Sequence, residues 1–289
     1  MFRALVSDYR RGLLLALAGI VVLSFDALLV RWADAPPADV SFWRGALIAV
    51  ALAAFQWLRG SGLRLAALRS WEGAAAACLF GVNTVLFVFS LAHTAVANTI
   101  VILALAPLFA ALWSRLWTSE PVRRDTLAAA MLAVAGVVVV VGGSIDTGRW
   151  VGDGLALIAS AVVSAGLTVL RNAPSLERVP VIMASGAVTA LLTAPFVAPF
   201  SLPAASYPPL VLMGLLQIPL AMVLLAVATR HLSAPEVSLV MLLEILLGPL
   251  WVWLAMGEEP PRQTVWGGAV ILLTLSVYFA RRLKFEPSG

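Results

Sequence analysis

The sequence predicts an all-α integral membrane protein with ten transmembrane helices, arranged as two inverted-topology five-helix repeats. Three observations support this prediction: 62% hydrophobic against 12% charged residues, apolar runs about 20 residues long, and a similarity between the two halves. The charged fraction is about half that of an average soluble domain, which is too little to cover a soluble surface. This composition argues against a soluble enzyme, a disordered chain and a secreted disulfide scaffold.

Apolar segments of membrane-spanning length recur along the whole chain. A helix rises about 1.5 Å per residue, so about 20 residues cross the hydrocarbon core of a bilayer. The first segment is long for a signal peptide and ends without a cleavage motif, so we interpret it as a span. Short connections separate the segments, and none is long enough for a soluble domain. The predicted spans are residues 12–33, 39–58, 73–92, 95–115, 125–143, 154–171, 179–199, 208–229, 234–255 and 264–281.

The distribution of basic residues predicts that both termini are cytoplasmic. With ten alternating spans, 15 of the 19 Lys and Arg residues fall on the inner side and 3 on the outer side, while Arg44 lies within a span. Loops rich in Lys and Arg stay in the cytoplasm, so this bias supports an even number of spans. Basic residues in the cytoplasmic loops account for the net charge of +4. Because the basic residues are scattered over several loops, they argue against nucleic-acid binding.

The two halves of the sequence resemble each other at a shift of about 140 residues. Residues 92–96 align with 230–234 and residues 120–126 with 258–264, both at a shift of 138. Because each half has five spans, an odd number, the second half is expected to be inverted in the membrane, as in many secondary transporters. Such halves can alternate between outward and inward access around a site near the bilayer midplane. The predicted repeats are residues 1–146 and 147–289.

Several residues of the first repeat carry a resemblance to a known family. These are residues 42–44 (Phe-Trp-Arg), Pro107 within a span, Glu120 in a Glu-Pro turn at the end of that span, and Gly136 in the next. With the five-plus-five repeat, the chain resembles the EamA family of the drug/metabolite transporter superfamily, which includes YddG-type amino-acid exporters. The second copy departs from the pattern, since Ile245 stands where the repeat has proline. The resemblance implies a transporter whose central cavity is lined by spans one, three, four, six, eight and nine.

Three ionisable residues lie at membrane depth, where charges are costly and mark function. Asp26 and Arg44 each lie about five residues from the predicted outer end of their spans, so they are at similar depth. They either form a structural ion pair or meet the charged groups of a substrate such as an amino-acid zwitterion. Glu244 lies near the middle of the ninth span. It has a neighbour on another helix, faces a water-filled cavity, or carries a proton and couples transport to it.

Other residues within the spans are candidates for the cavity or for motion. Polar side chains there either face the cavity or hydrogen-bond to neighbouring helices. Aromatic side chains either stack against a substrate or pack. Proline and glycine interrupt the helical hydrogen bonds and are candidate hinges. The polar candidates are Asn83, Asn98, Thr99, Ser164, Thr168, Gln217 and Ser238, the aromatic ones are Phe87 and Trp251, and the hinge candidates are Pro107, Pro219, Gly248 and Pro249.

These patterns predict a secondary transporter that exports small metabolites, amino acids foremost, across the inner (plasma) membrane by alternating access. Its expected partners are a small-molecule substrate and the lipid bilayer, and it is expected to be a monomer or a homodimer. The sequence has no P-loop, metal-binding or hydrolase motif, so no catalytic residue, metal or cofactor is expected. The alternatives are an exporter of cationic drugs or of other metabolites such as nucleosides, and an intramembrane lipid-modifying enzyme. The direction in which Arg44 points discriminates between substrates. A cavity that includes Arg44 favours a carboxylate or phosphate, whereas an acidic cavity around Asp26 and Glu244 without Arg44 favours cations.

Overall fold

The computed structural model consists of helices joined by short turns, and the residues it describes contain no strand. The predicted all-α fold is therefore confirmed. The described residues are 2–60, 65–118, 124–145, 148–173, 175–198, 200–228, 231, 240–241 and 243–285.

The α-helices are numbered here in chain order. A π-helical turn, Leu212–Gln217, joins α10 to α11, and short 3-10 turns occupy Ala66–Arg69, Ala194–Phe196 and Ala204–Ser206. The helices are α1 (Phe2–Ser24), α2 (Asp26–Trp32), α3 (Pro37–Leu58), α4 (Trp71–His93), α5 (Val96–Leu103), α6 (Ala106–Thr118), α7 (Arg124–Ile145), α8 (Trp150–Asn172), α9 (Arg178–Thr193), α10 (Tyr207–Val211), α11 (Ile218–Ala228), α12 (Glu244–Met256) and α13 (Arg262–Phe285).

Seven helical stretches in the described part of the chain are long and apolar enough to cross a membrane. They correspond to predicted spans one to four and six to eight. Two further apolar helices, Met131–Gly142 and Glu244–Met256, are shorter and lie in predicted spans five and nine. The chain is thus a multi-pass membrane protein, whereas the count of ten spans stays a prediction. The seven stretches are Arg10–Trp32, Pro37–Leu58, Trp71–His93, Val96–Trp117, Trp150–Asn172, Arg178–Phe196 and Ala204–Leu225.

The first predicted span is interrupted at Phe25, between α1 and α2. The side-chain amide of Gln217 donates hydrogen bonds to the carbonyl oxygens of Val22 and Leu23, both at 3.1 Å. In a continuous helix these oxygens would accept from N–H groups four residues later. Lipid offers no replacement partner, so an interruption inside a span has to be satisfied by protein or water. Gln217 therefore stabilises the broken form of the first helix.

The fourth predicted span is interrupted between α5 and α6, at residues 104–105. Pro107, two residues after the interruption, lacks the N–H that would bind the carbonyl oxygen of Leu103. The hydroxyl of Ser160 on α8 donates to that oxygen at 3.3 Å instead. The proposed hinge at Pro107 thus coincides with a break in the helix, while motion about it stays a prediction.

The other hinge candidates also lie at irregular or tightly packed positions. The π-helical turn ends directly before Ile218 and Pro219, where the missing proline N–H is accommodated by a widened turn. Pro249 lies inside α12. Gly248, the residue before it, packs so closely on Ile100 of α5 that a Cβ atom there would overlap the isoleucine side chain. A substitution of this glycine would have to displace Ile100.

Helices of the two predicted halves pack against each other in a regular pattern. α3 packs against α9 and α7 against α13, which pairs spans two with seven and five with ten. α4 packs against α8 and α1 against α11, which pairs spans three with six and one with eight. α5 packs against α12, which pairs spans four and nine. Exchanging each span for the one five places along the chain leaves this set of contacts unchanged.

Two glycines allow the backbones of α3 and α9 to approach closely. A Cβ atom on Gly45 would lie 2.5 Å from the carbonyl oxygen of Gly186, and one on Gly186 would lie 2.6 Å from that of Gly45. Small residues are how helices pack closely inside membranes. We expect Gly45→Ala to lower the free energy of unfolding by about 1–3 kcal/mol through overpacking, measured by thermal unfolding of the purified protein.

The matched control for this substitution is Gly154→Ala in α8. A Cβ atom on Gly154 would meet nothing within 4 Å. Alanine there should leave the unfolding temperature unchanged or raise it, since alanine favours helix more than glycine does. Equal effects of the two substitutions would contradict the role given to the contact between α3 and α9.

Candidate functional site

The interruption at Phe25 is the point at which helices from both predicted halves bring polar side chains together. We call Asp26, Arg44, Gln217, Glu244 and Trp251 the central polar cluster. Arg44 comes from α3, Gln217 from the π-helical turn, and Glu244 and Trp251 from α12. All five were predicted from the sequence as site residues, and each contacts or interacts with the residues around the break.

Asp26 and Arg44 form a buried ion pair. Nη1 of Arg44 lies 2.7 Å from Oδ1 and 2.8 Å from Oδ2 of Asp26. The residues are only 6% and 9% exposed, respectively. The pair therefore links α2 to α3 in a place where neither charge is well solvated. This geometry is that of a structural ion pair, the first of the two interpretations of these residues. Both carboxylate oxygens of Asp26 accept from Arg44.

Arg44 retains donors that this ion pair does not use. Its Nε atom is buried and has no hydrogen-bond partner among the described residues. The guanidinium carbon lies 5.4 Å from the ring centre of Phe87 on α4, and Nη1 also approaches the sulfur of Met213 at 3.6 Å. The aromatic face stabilises the cation and fixes the guanidinium plane. Arg44 is thus held in place with one edge free.

Glu244 lies at the first turn of α12 and is half-buried. It interacts electrostatically with Asp26, which repels it, and more weakly with Arg44, which attracts it. Its carboxylate has no hydrogen-bond partner in the described part of the chain. The sequence left three possibilities for Glu244: a neighbour on another helix, a water-filled cavity or a bound proton. The structure shows charged neighbours, Asp26 on α2 and Arg44 on α3. It leaves the carboxylate oxygens available to a ligand or a proton.

Trp251 lies two turns after Glu244 on the same helix. Its ring stacks on Phe25 at the interruption, with ring centres 4.8 Å apart, and its Nε1 donates to the hydroxyl of Ser24 at 2.9 Å. Phe87, the other aromatic candidate, packs against Arg44. Both aromatic residues therefore have protein partners: Trp251 within the central polar cluster and Phe87 beside it.

Two buried side-chain oxygens, one in the cluster and one on α4, are unpaired. Oε1 of Gln217 and Oδ1 of Asn83 have no hydrogen-bond partner among the described residues. Gln217 is only 5% exposed and is held at the break by its amide nitrogen. Asn83 lies one turn before Phe87 on α4, so both side chains are on the same face of that helix. A buried acceptor without a partner costs about 1–3 kcal/mol, which a bound ligand would recover.

Asn98 and Thr99 belong to a separate polar network centred on Asp153. Oδ1 of Asp153 accepts from the hydroxyl of Thr94 at 2.7 Å and from the amide of Asn98 at 3.1 Å. The hydroxyl of Thr264 donates to Oδ1 of Asn98. Thr99 exchanges a hydrogen bond with Ser90, whose hydroxyl also reaches the carbonyl oxygen of Gly152. These bonds join α4, α5, α8 and α13, so the residues have a clear structural role.

The remaining polar candidates lie elsewhere. The hydroxyl of Ser164 donates to the carbonyl oxygens of Ala106 and Ser160, and that of Thr168 to the carbonyl oxygen of Ser164. Both side chains are buried and none of these bonds reaches the central polar cluster. Ser238 lies outside the described residues.

Sequence reasoning missed Asp153 and Met213. Asp153 precedes its predicted span by one residue, a position typical of a solvated interface. It is 1% exposed because Gly152 lets α8 approach Thr94, which would lie 2.7 Å from a Cβ atom on that glycine. The glycine next to the acid was the available signal. Met213 looks like any apolar residue of its span, and no sequence signal marks it.

An ion pair joins the ends of the first and ninth predicted spans. Nε of Arg31 lies 3.2 Å from Oε2 of Glu258, and Nη2 of Arg31 donates to the carbonyl oxygen of Thr94 at 2.9 Å. Oε1 of Glu258 accepts from the backbone N–H of Val96, at the start of α5. The predicted topology places these residues on the outer side. The contacts therefore connect the end of α2 and the segment after α12 to the start of α5.

Removing the charge of Glu258 should loosen this connection. Glu258→Gln keeps an acceptor for Val96 but loses the ion pair, which at this partial exposure contributes up to about 1 kcal/mol. We expect a cysteine at the 3%-exposed Ala95, in a Cys78→Ser background, to be labelled about two- to fivefold faster by a membrane-impermeant maleimide. Glu259→Gln, at an exposed neighbouring carboxylate, is the control. The same labelling rate in both variants would show that the ion pair does not hold these segments together.

The fold and this cluster define a multi-pass helical membrane protein with polar side chains gathered at a broken helix. Residues 10–142 match the model of the EamA-like transporter family. The match supports membership of the drug/metabolite transporter superfamily, and with it a membrane transporter of that type. EamA is a transporter family, which is consistent with a function other than catalysis.

A comparison with solved structures extends the fold to the whole chain. A crystal structure of a protein matches with a TM-score of 0.65 at 20% identity, over 96% of this chain and 99% of that chain. At this identity the similarity shows a shared fold alone. No curated protein matches the chain in sequence.

Proposed function

We propose that the protein is a secondary transporter that exports small metabolites, amino acids foremost, across the inner (plasma) membrane by alternating access. The observation that carries this proposal is the central polar cluster, where buried and partly unpaired polar groups gather at an interrupted membrane helix. Transporters bind substrates at such interruptions, because freed backbone and side-chain groups can replace the water around a polar solute. The cluster offers both a donor edge on Arg44 and a free carboxylate on Glu244.

The packing of the helices supports the two inverted repeats that this mechanism needs. Five of the interhelical contacts, between spans one and eight, two and seven, three and six, four and nine, and five and ten, map onto one another when each span is exchanged for the span five places along the chain. The boundary between residues 146 and 147 divides the chain into these proposed halves. The central polar cluster draws Asp26 and Arg44 from the first half and Gln217 and Glu244 from the second, so relative motion of the halves would alter it.

The contacts also support ten alternating spans, whereas the proposal of cytoplasmic termini rests on the distribution of Lys and Arg. Arg31, Thr94, Asp153, Glu258 and Thr264 lie at the ends of five different predicted spans. Alternation places all of them on the outer side, and the structure joins them in one connected set of contacts, which Thr264 enters through Asn98. A topology with a span added or removed would assign some of these contacting residues to opposite sides.

The exposed apolar faces of the peripheral helices are suited to contact with the lipid bilayer. Exposed apolar side chains follow one another at helical spacing on α7, at Met131, Val134 and Val138, and on α13, at Trp266, Val270 and Leu273. These two helices correspond to predicted spans five and ten, which are proposed to be peripheral. Such continuous apolar faces suit lipid or a second copy in a homodimer.

The test is transport by the purified protein in proteoliposomes. Vesicles loaded with one amino acid at a time should accumulate the radiolabelled form by counterflow for at least one member of the panel. Vesicles with Asp26→Asn protein, reconstituted in equal amount, should not. Nucleosides and cationic dyes complete the panel. Absence of counterflow with every amino acid, together with flux of another class, would overturn the proposed substrate.

A further inference from the structure

We propose that the central polar cluster binds an α-amino acid zwitterion at two separate points. The carboxylate binds the free edge of Arg44, and the ammonium group binds Glu244 together with the buried oxygen of Gln217. This inference rests on the proposed function and assigns the substrate's two charged groups to named atoms.

The first step concerns the free edge of Arg44. In a guanidinium group, Nε–H and one Nη–H point in the same direction and form the edge that binds carboxylates in a bidentate manner. Asp26 occupies Nη1, on the other side of the group. Nε is buried and has no hydrogen-bond partner among the described residues. Because Asp26 neutralises the charge of Arg44, this edge offers directional hydrogen bonds rather than a free positive charge.

The second step concerns the acceptors. An ammonium group has three donors and no acceptor. Oε1 of Gln217 is buried and has no hydrogen-bond partner among the described residues. The carboxylate of Glu244 accepts no hydrogen bond from the described residues either. Gln217 is more than nine-tenths buried, and its amide nitrogen is fixed by the carbonyl oxygens at the interruption. Its oxygen therefore stays close to the break, beside Asp26.

The third step concerns electrostatics. Asp26 acts on Glu244 more strongly than Arg44 does, although Asp26 and Arg44 are paired. Of these two neighbours, the carboxylate therefore has the larger effect, and it favours an added cation beside Glu244. A ligand carboxylate placed there would be repelled, whereas the edge of Arg44 lies next to the ring of Phe87, which carries no charge. The two ends of the cluster thus prefer opposite ends of a zwitterion.

The test compares three ligands that share one side chain. These are leucine, isopentylamine, which lacks the carboxylate, and 4-methylpentanoate, which lacks the ammonium group. Binding to the purified protein is measured by calorimetry, separately from flux. We expect leucine to bind about 10- to 100-fold more tightly than either analogue, the range of one charge-assisted hydrogen-bond set.

Two variants separate the two points of attachment. Arg44→Lys keeps a cation for Asp26 but loses the planar edge, so it should weaken leucine and 4-methylpentanoate about tenfold and spare isopentylamine. Glu244→Gln should weaken leucine and isopentylamine about tenfold and spare 4-methylpentanoate. Glu259→Gln is the control and should change none of the three. These opposite patterns cannot come from a general loss of folding.

The outcomes distinguish this inference from the proposed function. Equal weakening of all three ligands in both variants, or an amine that binds as tightly as leucine, overturns the two-point site. Failure of all three ligands to bind the wild-type protein overturns it too. Binding with the expected patterns but without flux in proteoliposomes leaves the site in place and overturns transport.

Discussion

Replacing Arg44 by methionine is expected to lower the free energy of unfolding by about 3–5 kcal/mol, the usual cost of removing one partner of a buried ion pair. Asp26 would remain as a carboxylate that is 6% exposed, with no other cation bonded to it among the described residues. The variant also removes the contact of the guanidinium group with Phe87. Chemical unfolding of the purified protein in detergent, monitored by tryptophan fluorescence, measures the change.

A double-mutant cycle shows whether the loss comes from the pair. Asp26→Asn combined with Arg44→Met leaves no buried charge, so the double variant should be more stable than the sum of the single effects predicts. Arg149→Met, at an exposed arginine that begins α8, should change the free energy of unfolding by less than about 0.5 kcal/mol. Strictly additive effects of Asp26 and Arg44 would mean that the pair contributes nothing to folding.

The sequence was informative about depth along a helix. Asp26 and Arg44 each lie about five residues from the outer ends of their predicted spans, and this count places them at one level of the membrane. The structure pairs them through the long side chain of Arg44, which reaches Asp26 although the backbones of α2 and α3 make few contacts. Depth and adjacency together are enough to predict a contact between neighbouring spans. Apolar run lengths and the resemblance to EamA predicted most of the helices. The family model matches residues 10–142.

The depth of a polar residue in the membrane did not predict whether it belongs to the central polar cluster or to the network of Asp153. Asn98 and Thr99 lie in a predicted span as Gln217 does, yet they belong to the network of Asp153 rather than to the central polar cluster. Which group a side chain joins depends on how helices far apart in sequence are packed. Glu244 likewise meets Asp26 and Arg44 only because α12 packs against α1 and α2. A single sequence carries no record of such long-range packing.

The interruption at Phe25 also escaped prediction, for a physical reason. Residues 22–28 contain no proline or glycine, so their composition predicts a continuous helix. At the break, the amide of Gln217, which is distant in sequence, donates to two carbonyl oxygens. The break at residues 104–105 was easier to anticipate, because Pro107 lies two residues further on and removes a hydrogen bond by its own chemistry. Breaks caused by partners are invisible in sequence, whereas breaks caused by proline are not.

Glu244→Gln is expected to abolish any dependence of export on a proton gradient. Glu244 is half-buried and its carboxylate is not engaged by a hydrogen bond within the described residues, whereas Asp26 is held by Arg44. Glu244 is therefore the carboxylate of the central polar cluster that can exchange a proton when the site opens to either side. In wild-type proteoliposomes, acidifying the side that receives the substrate should accelerate efflux. In the variant, efflux at saturating substrate should equal the rate without a gradient.

Two further variants decide whether this loss is specific to a titrating group at position 244. Glu244→Asp keeps a carboxylate and should keep the response to the gradient, even if its rate falls. Glu259→Gln removes an exposed carboxylate beyond the end of α12 and should behave as wild type. If Glu244→Gln responds to the gradient as the wild type does, protons do not couple through this residue. If the wild type itself does not respond, Glu244 serves substrate binding alone, because a carboxylate that stays charged through the cycle holds an ammonium group without exchanging it for a proton.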